Sequence, residues 1–376
     1  MSQTRRQTGF FQDYTRDLTT DDLRRLFTRD AREAYHFFSR HVDFREFDHL
    51  PWYRRVLAHA RVIFVAFTMR LSPARRAVYA FALVAMVVGL INQASANRLA
   101  DGTGWLLIAF GLVNLLVLLE VADRLTLKND LEVAREIQNA MLPAGPYRAP
   151  GVEVAGLTRP ANTVGGDFYD IQPLGDGRVV IALGDVSGKG SPAALLMALL
   201  LAMFRTLVPS IEEENLEVSD LAARLNVQVT RHAPGNRFIT LFCGIFTPLT
   251  GELRYVSAGH TPPLVLRADG SSTERLADGG IALGMFAQSA YSTGRALLAP
   301  GDLLAVYSDG ITEAENKDGV PFDERGLEAA LPRNASAAAS ELAQGVFRAV
   351  ERYAGDVRLA DDLTILLLRR SAAPAV

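Results

Sequence analysis

The run Val179-Val180-Ile181-Ala182-Leu183 is apolar without interruption, and an aspartate motif stands on each side of it. Gly165-Gly166-Asp167-Phe168-Tyr169-Asp170 comes before, and Asp185-Val186-Ser187-Gly188-Lys189-Gly190 comes after. A short continuous apolar run bounded by turn residues reads as a buried strand. Pro173-Leu174-Gly175-Asp176-Gly177 reads as a hairpin turn with Asp-Gly at its tip. The hairpin brings Asp167 and Asp185 to the ends of paired strands, where glycines let backbone approach a ligand closely. Two carboxylates forced together repel unless a cation neutralises them. Hard divalent ions such as Mg²⁺ or Mn²⁺ favour all-oxygen sites of this kind.

Two further stretches have the same form. Leu303-Leu304-Ala305-Val306-Tyr307 ends in Ser308-Asp309-Gly310, followed by Ile311-Thr312-Glu313. Asp361-Asp362 stands just before Leu363-Thr364-Ile365-Leu366-Leu367-Leu368. One Asp-Gly beside a strand is usually only a turn. Four acidic clusters, each at a strand edge, predict one metal centre assembled from across a domain.

These motifs carry a family resemblance. Residues from about Leu131 to Arg370 resemble the SpoIIE/RsbU branch of the PPM metal-dependent protein serine/threonine phosphatases. Besides the acidic motifs, the matching pieces are Ala134-Arg135-Glu136-Ile137-Gln138, Met141-Leu142-Pro143 and Ser257-Ala258-Gly259-His260-Thr261-Pro262-Pro263. The resemblance implies two Mn²⁺ or Mg²⁺ ions and a water activated between them for attack on a phosphoserine or phosphothreonine. It places Asp185 between the metals, with the Val186 carbonyl as a further oxygen ligand. Asp309 and Asp361 would hold one ion, and Asp167 would complete the site directly or through water. Asp170 and Asp362 are either groups supporting these ligands or simple surface acids. His260 is either a turn-stabilising residue or a proton donor. The arginine that grips phosphate in many relatives has no secure counterpart, with Arg159 a candidate. By analogy with the branch, the substrate would be a phosphorylated anti-anti-sigma (STAS) protein in a partner-switching pathway.

Upstream of this region the chain changes character. Residues 1–76 hold 15 arginines against 9 acidic residues, a net +6, which leaves −9 for the rest of a chain whose total is −3. A basic end beside an apolar segment suggests a membrane surface, the alternative being a solvated helical face. Thr19-Thr20-Asp21-Asp22 would cap a helix at Leu23-Arg24-Arg25-Leu26-Phe27. Arg61 to Leu71 could lie along an interface. His36, His41, His49 and His59 have no metal-ligand spacing, and no secretory signal is visible before Asp48.

Ala77 to Ala96 carries no charge over 20 residues, and Gly104 to Leu119 none over 16. A helix needs about 20 apolar residues to cross the hydrocarbon core. Arg70, Arg75 and Arg76 precede the first run, Arg124 and Lys128 follow the second, and the connector holds only Arg98. That bias predicts a membrane hairpin over 77–122 with both termini cytoplasmic; the resemblance implies a bacterial inner membrane with the catalytic domain on the cytoplasmic side. A soluble hairpin buried in a dimer is the alternative. From 123 to 143 the chain reads as a linker helix, with Leu127, Leu131, Ala134, Ile137 and Met141 on one face. This stripe suits a homodimer, as the family resemblance implies, or a helix packed on its own domain.

Residues 144–371 form the predicted phosphatase domain. Helices are expected over Ser191–Leu207, Val218–Arg231 and Ser336–Tyr353. Strands are expected over Phe238–Phe246, Gly251–Ser257, Pro263–Arg267, Ala296–Leu298, Leu303–Ser308 and Leu363–Arg370. Antiparallel strands with segregated helices indicate an α+β layered domain, which the resemblance sharpens to a β-sandwich flanked by helices. Ser191–Leu207 is apolar all round, yet Arg205 cuts it short of membrane length, so it reads as a core helix. Cys243, the only cysteine, lies in an apolar run, so no disulfide forms within one chain. Gly188-Lys189-Gly190 lacks P-loop spacing, and no basic, aromatic-interleaved patch supports nucleic-acid binding. Two rival functions remain, a membrane-anchored scaffold that binds without turnover and a hydrolase of small phosphoesters.

Overall fold

The computed structural model describes residues 51–94, 99–233, 237–270, 272–331 and 337–371. The expectations for residues 1–50, for Arg98 and for a helix start at Ser336 lie outside these residues. Contacts divide the chain into two compact units, Met1–Leu125 and Thr126–Val376.

In the first unit, α1 covers Trp52–Arg70, α2 covers Pro73–Ala94, and α3 begins at Leu99. α1 was not anticipated as a helix, because its arginines interrupt the apolar spacing. α2 and α3 pack as a tight pair through small residues. Ala82, Ala85 and Gly89 are buried, and a methyl added at Gly89 would stand 2.8 Å from Leu106 Cγ. One added at Gly102 would stand 2.9 Å from the Gly89 carbonyl oxygen, so only glycine permits this approach. At the other end Arg75 reaches Asp123 at 2.8 Å and Glu120 at 3.4 Å. α2 and the stretch Gly102–Met141 are both long and apolar enough to cross a membrane. α3 runs unbroken to Met141, so the expected second span and the linker are one 43-residue helix.

The second unit contains two sheets between two layers of helices. After β1 (Tyr147–Ala149) and β2 (Val152–Arg159) come β3 (Phe168–Pro173) and β4 (Val179–Val186). Three helices follow, α4 (Ser191–Leu207), α5 (Ser210–Glu213) and α6 (Val218–His232). The chain then forms β5 (Ile239–Thr247), β6 (Glu252–Ala258), β7 (Leu264–Leu266), β8 (Thr273–Arg275), β9 (Gly279–Gly280), β10 (Gly294–Leu297) and β11 (Leu303–Tyr307). α7 (Asp309–Thr312), α8 (Asp323–Ala330), α9 (Ala339–Ala354) and β12 (Leu363–Arg370) complete it. One sheet has the order β1-β2-β12-β11-β7-β8 and the other β10-β6-β5-β4-β3, with β9 beside β6.

The uninterrupted apolar runs follow from this layering. Along β4, Val179, Ile181 and Leu183 face the core between the sheets, while Val180 and Ala182 face α4 and α6. Along β12, Leu366 and Leu368 face the same central core, while Ile365 and Leu367 face α8 and α9. A strand covered on both faces has no solvent side on which polar residues could alternate. Each such side chain contributes about 1.5–3 kcal/mol on burial. α4 buries Ala193, Leu196, Met197, Leu200, Leu201 and Phe204, so it is a core helix although its composition would suit a span. The expected α+β domain with two sheets flanked by helices is therefore present.

β12 has the expected bounds, Leu363–Arg370, and the other expected strands differ at one end or both by at most two residues, with β10 at Gly294–Leu297 in place of Ala296–Leu298. β2 escaped notice altogether, although it pairs with β12 along its whole length. Its Glu153, Gly156, Thr158 and Arg159 break the apolar run by which the other strands are recognised.

Candidate metal centre

The aspartates are set in place by strand pairing. β3 and β4 form the expected hairpin, closed by the Leu174 N–H donating to the Arg178 carbonyl at 2.8 Å. Phe168 pairs with Gly184, which puts Asp167 and Asp185 beside each other at the open end. β11 pairs with β12 so that Tyr307 lies opposite Ile365, which brings Ser308 and Asp309 to the first residues of β12, beside Asp361 and Asp362. The Ser308 N–H donates to the Thr364 carbonyl at 2.9 Å, and the Thr364 N–H donates to Ser308 Oγ at 3.0 Å. Asp309 opens α7, a single helical turn.

Asp167 is 4% exposed, and its Oδ2 has no hydrogen-bond partner. Its pKa is raised well above the ordinary carboxylate value, by burial first and then by the charges of Asp185 and Asp362. The hydroxyls of Thr364 and Ser308 act in the opposite direction. Asp185 is pushed up to about 6, by burial and by Asp309, Asp361 and Asp362, with a hydrogen bond to Asp167 opposing. Asp309 is also raised, by burial and by Asp361, while Lys189 opposes the shift. All four expected site aspartates thus share one electrostatic field.

The donor set suits a hard cation. A Cβ built at Gly166 would stand 3.0 Å from the Val186 carbonyl oxygen and 3.4 Å from Asp185 Oδ1, so both oxygens border a space that only glycine leaves open. A buried carboxylate oxygen with no partner costs free energy that a divalent ion would recover. The ligand set is nevertheless not closed. Among the described residues no three His, Cys, Asp or Glu side chains come together as ligands of one ion. Asp361 explains part of this, because its Oδ2 accepts from Lys189 Nζ at 2.8 Å and its Oδ1 from the Asp362 N–H at 2.9 Å.

The neighbouring acids have clear structural duties. Asp362 Oδ1 accepts the Ala161 N–H at 2.7 Å, and Oδ2 accepts the Gly166 N–H at 2.8 Å. Asp362 therefore shapes the loop that carries Asp167 and is not a surface acid. Asp170 is fully buried and takes Arg205 on both oxygens, at 2.8 and 2.9 Å. It too is no surface acid. Arg159, the candidate phosphate grip, instead pairs with Glu351 and lies over the Phe347 ring. His260 is buried and pushed down to about 4, chiefly by desolvation, so its ring is neutral near pH 7. Its Nδ1 lies 3.0 Å from Thr240 Oγ1, which favours the turn-stabilising role.

Three residues escaped the sequence reading. Gln138 Nε2 donates to the Gly165 carbonyl at 2.8 Å and its Oε1 accepts the Gly165 N–H at 3.2 Å, tying the end of α3 to the Asp167 loop. Arg205 Nη2 donates to the Met141 carbonyl at 2.6 Å, a second tie one helical turn later. Lys189 was weighed only as part of a failed P-loop. The available signals were a glutamine within the quoted Ala134–Gln138 motif and a lone lysine beside an acidic loop.

The comparisons with known proteins bear on this geometry. Residues 175–371 match the family model of Stage II sporulation protein E (SpoIIE). The chain belongs to the SpoIIE family. It is 27% identical over 245 residues to the phosphoserine phosphatase RsbU of Bacillus subtilis, covering 65% of this chain and 71% of RsbU. It is 28% identical over 282 residues to the protein IcfG of Synechocystis, covering 69% of this chain but only 44% of IcfG. A crystal structure of the RsbU and RsbW domains of a Mycobacterium tuberculosis protein matches with TM-score 0.50 at 26% identity, over 60% of this chain and 62% of that one. The SiaA-PP2C domain of Pseudomonas aeruginosa matches with TM-score 0.57 at 22% identity, over 66% of this chain and 98% of that domain, which shows the shared fold. As a SpoIIE-family member of RsbU type, the chain is a protein-serine phosphatase.

Proposed function

We propose that this phosphatase removes phosphate from a phosphorylated STAS-domain protein in a partner-switching pathway, using two Mn²⁺ or Mg²⁺ ions. Asp167, Asp185, Asp309, Asp361 and the Val186 carbonyl would hold them. The observation that carries the metal reading is the unpartnered Oδ2 of buried Asp167, which feels the charge of Asp185, a carboxylate raised in turn by Asp309 and Asp361. When bound, such ions neutralise phosphate oxygens and lower the pKa of a water.

The chain's own residues do the positioning. Asp362 and Gln138 fix the backbone around Gly165 and Gly166, which aims Asp167 into the site. The Ser308 and Thr364 hydroxyls face the Asp167 carboxylate and lower the cost of ionising it. His260, neutral near pH 7, pairs with Thr240 and so supports the turn.

The small-residue packing of α2 against α3 and their apolar length support a membrane hairpin. A homodimer through the linker is supported by Leu127 and Ile137, which are 61% and 59% exposed on the single chain. The Mycobacterium tuberculosis protein, which joins RsbU and RsbW domains, supports the partner-switching reading.

The test is phosphate release from a phosphoserine STAS protein by the full chain with Mn²⁺. Release that stops with EDTA and with Asp185→Asn is expected. A folded dimer that stays inert with Mn²⁺ and candidate activators would favour the non-catalytic scaffold. Turnover of nitrophenyl phosphate without preference for any protein would favour the small-phosphoester hydrolase.

A further inference from the structure

We propose that Lys189 is an internal counter-ion of the metal centre, holding the Asp361 carboxylate until a divalent cation takes it over. This rests on the reading that the aspartates bind such cations.

The geometry of the loop carries the inference. Lys189 Nζ donates to Asp361 Oδ2 at 2.8 Å and to the Ala360 carbonyl at 2.6 Å. Among the described residues it is the basic side chain paired with any of Asp167, Asp185, Asp309 and Asp361. The backbone beneath it is fixed. Gly188 and Gly190 have φ of +96° and +75°, values that side-chain-bearing residues rarely adopt. The Ser187 N–H donates to the Phe238 carbonyl at 3.0 Å, and the Phe238 N–H donates to Ser187 Oγ at 2.9 Å. Arg237 Nη1 donates to the Ser187 carbonyl at 3.0 Å.

The lysine side chain, by contrast, is free to leave. It is 53% exposed and ends in a flexible four-carbon stem, so the ammonium can swing to water without disturbing the loop. Asp361 could then turn from the ammonium to an ion shared with Asp309. The exchange has an electrostatic consequence, because the ammonium both occupies one ligand and repels an incoming dication. Lys189 therefore sets the divalent-ion concentration at which the centre fills. Neutralising it should tighten binding about tenfold, the order expected of one charge acting a few ångströms from a dication in a wet site.

Calorimetric titration of Mn²⁺ into the EDTA-stripped full chain in detergent tests this. The wild type is compared with Lys189→Met, Lys189→Arg and Asp185→Asn, each checked for folding by circular dichroism. The proposal expects Lys189→Met to bind about tenfold more tightly, Lys189→Arg to match the wild type, and Asp185→Asn to lose binding. If the wild type saturates and Asp185→Asn does not, while Lys189→Met binds equally or more weakly, Lys189 is no competing counter-ion and the proposal is overturned. If the wild type takes up no Mn²⁺, or Asp185→Asn binds as well, the metal reading itself fails and the proposal fails with it.

Discussion

Asp185 shows how a binding site costs stability. Its pKa of about 6 in the folded chain lies above the ordinary 3.8, so the folded state holds that proton more tightly than the unfolded chain does. The associated stability is fully present below about pH 4 and is lost as pH rises through about 6. Asp167 and Asp309 shift in the same direction. The EDTA-treated protein should therefore melt at a lower temperature at pH 7 than these carboxylates alone would give near pH 5. Mn²⁺ should restore the loss most strongly at pH 7. Asp185→Asn should raise the metal-free melting temperature at pH 7, by roughly 2 kcal/mol of stability, while abolishing activity. A fall in metal-free melting temperature would show that the carboxylates are not repelling one another. Asp170 is held by a partner instead, since Arg205 donates to both its oxygens. Asp170→Ala should destabilise the domain by about 3 kcal/mol in urea unfolding, because it leaves the guanidinium without its partner.

At the scale of elements, the end of α3 acts on the site through the backbone. Gln138 and Met141 lie on one face of the helix and tie to opposite ends of the segment from Gly165 to Asp170. A Cβ added at Gly165 would collide with Asp362 Oδ2, the oxygen that accepts the Gly166 N–H. Gly165→Ala should thus displace Asp362 and lower phosphatase activity at least about tenfold, with far-UV circular dichroism unchanged. Unaltered activity would show that the loop tolerates the shift. The sequence made β4, β11 and β12 legible because strands buried on both faces are apolar almost throughout, with the aspartates as breaks at their ends; β3, which carries Asp170, Gln172 and Pro173, was legible only as the partner in a hairpin. β2 was not legible, since Glu153 pairs with Arg148 and Arg159 with Glu351 at positions where a buried run would be apolar. Nor could local pattern reveal the duties of Asp362 and Arg205, whose partners lie 196 and 35 residues away.

At the scale of the whole molecule, the apolar helices bear on where the protein resides. α2 packs on α3 through glycine and alanine, yet both expose large apolar side chains such as Phe81, Leu90, Phe110 and Leu118. Such a surface is costly in water and ordinary in lipid. After alkaline carbonate extraction the full chain should remain in the membrane pellet. Release to the supernatant would assign these helices to a protein interface. The central claim, that four separated aspartates hold a pair of divalent ions, is tested most directly by anomalous diffraction at the manganese edge from crystals grown with Mn²⁺. The account predicts manganese peaks among Asp167, Asp185, Asp309, Asp361 and the Val186 carbonyl. Peaks absent from this place, in crystals that bind Mn²⁺ elsewhere or not at all, would contradict it.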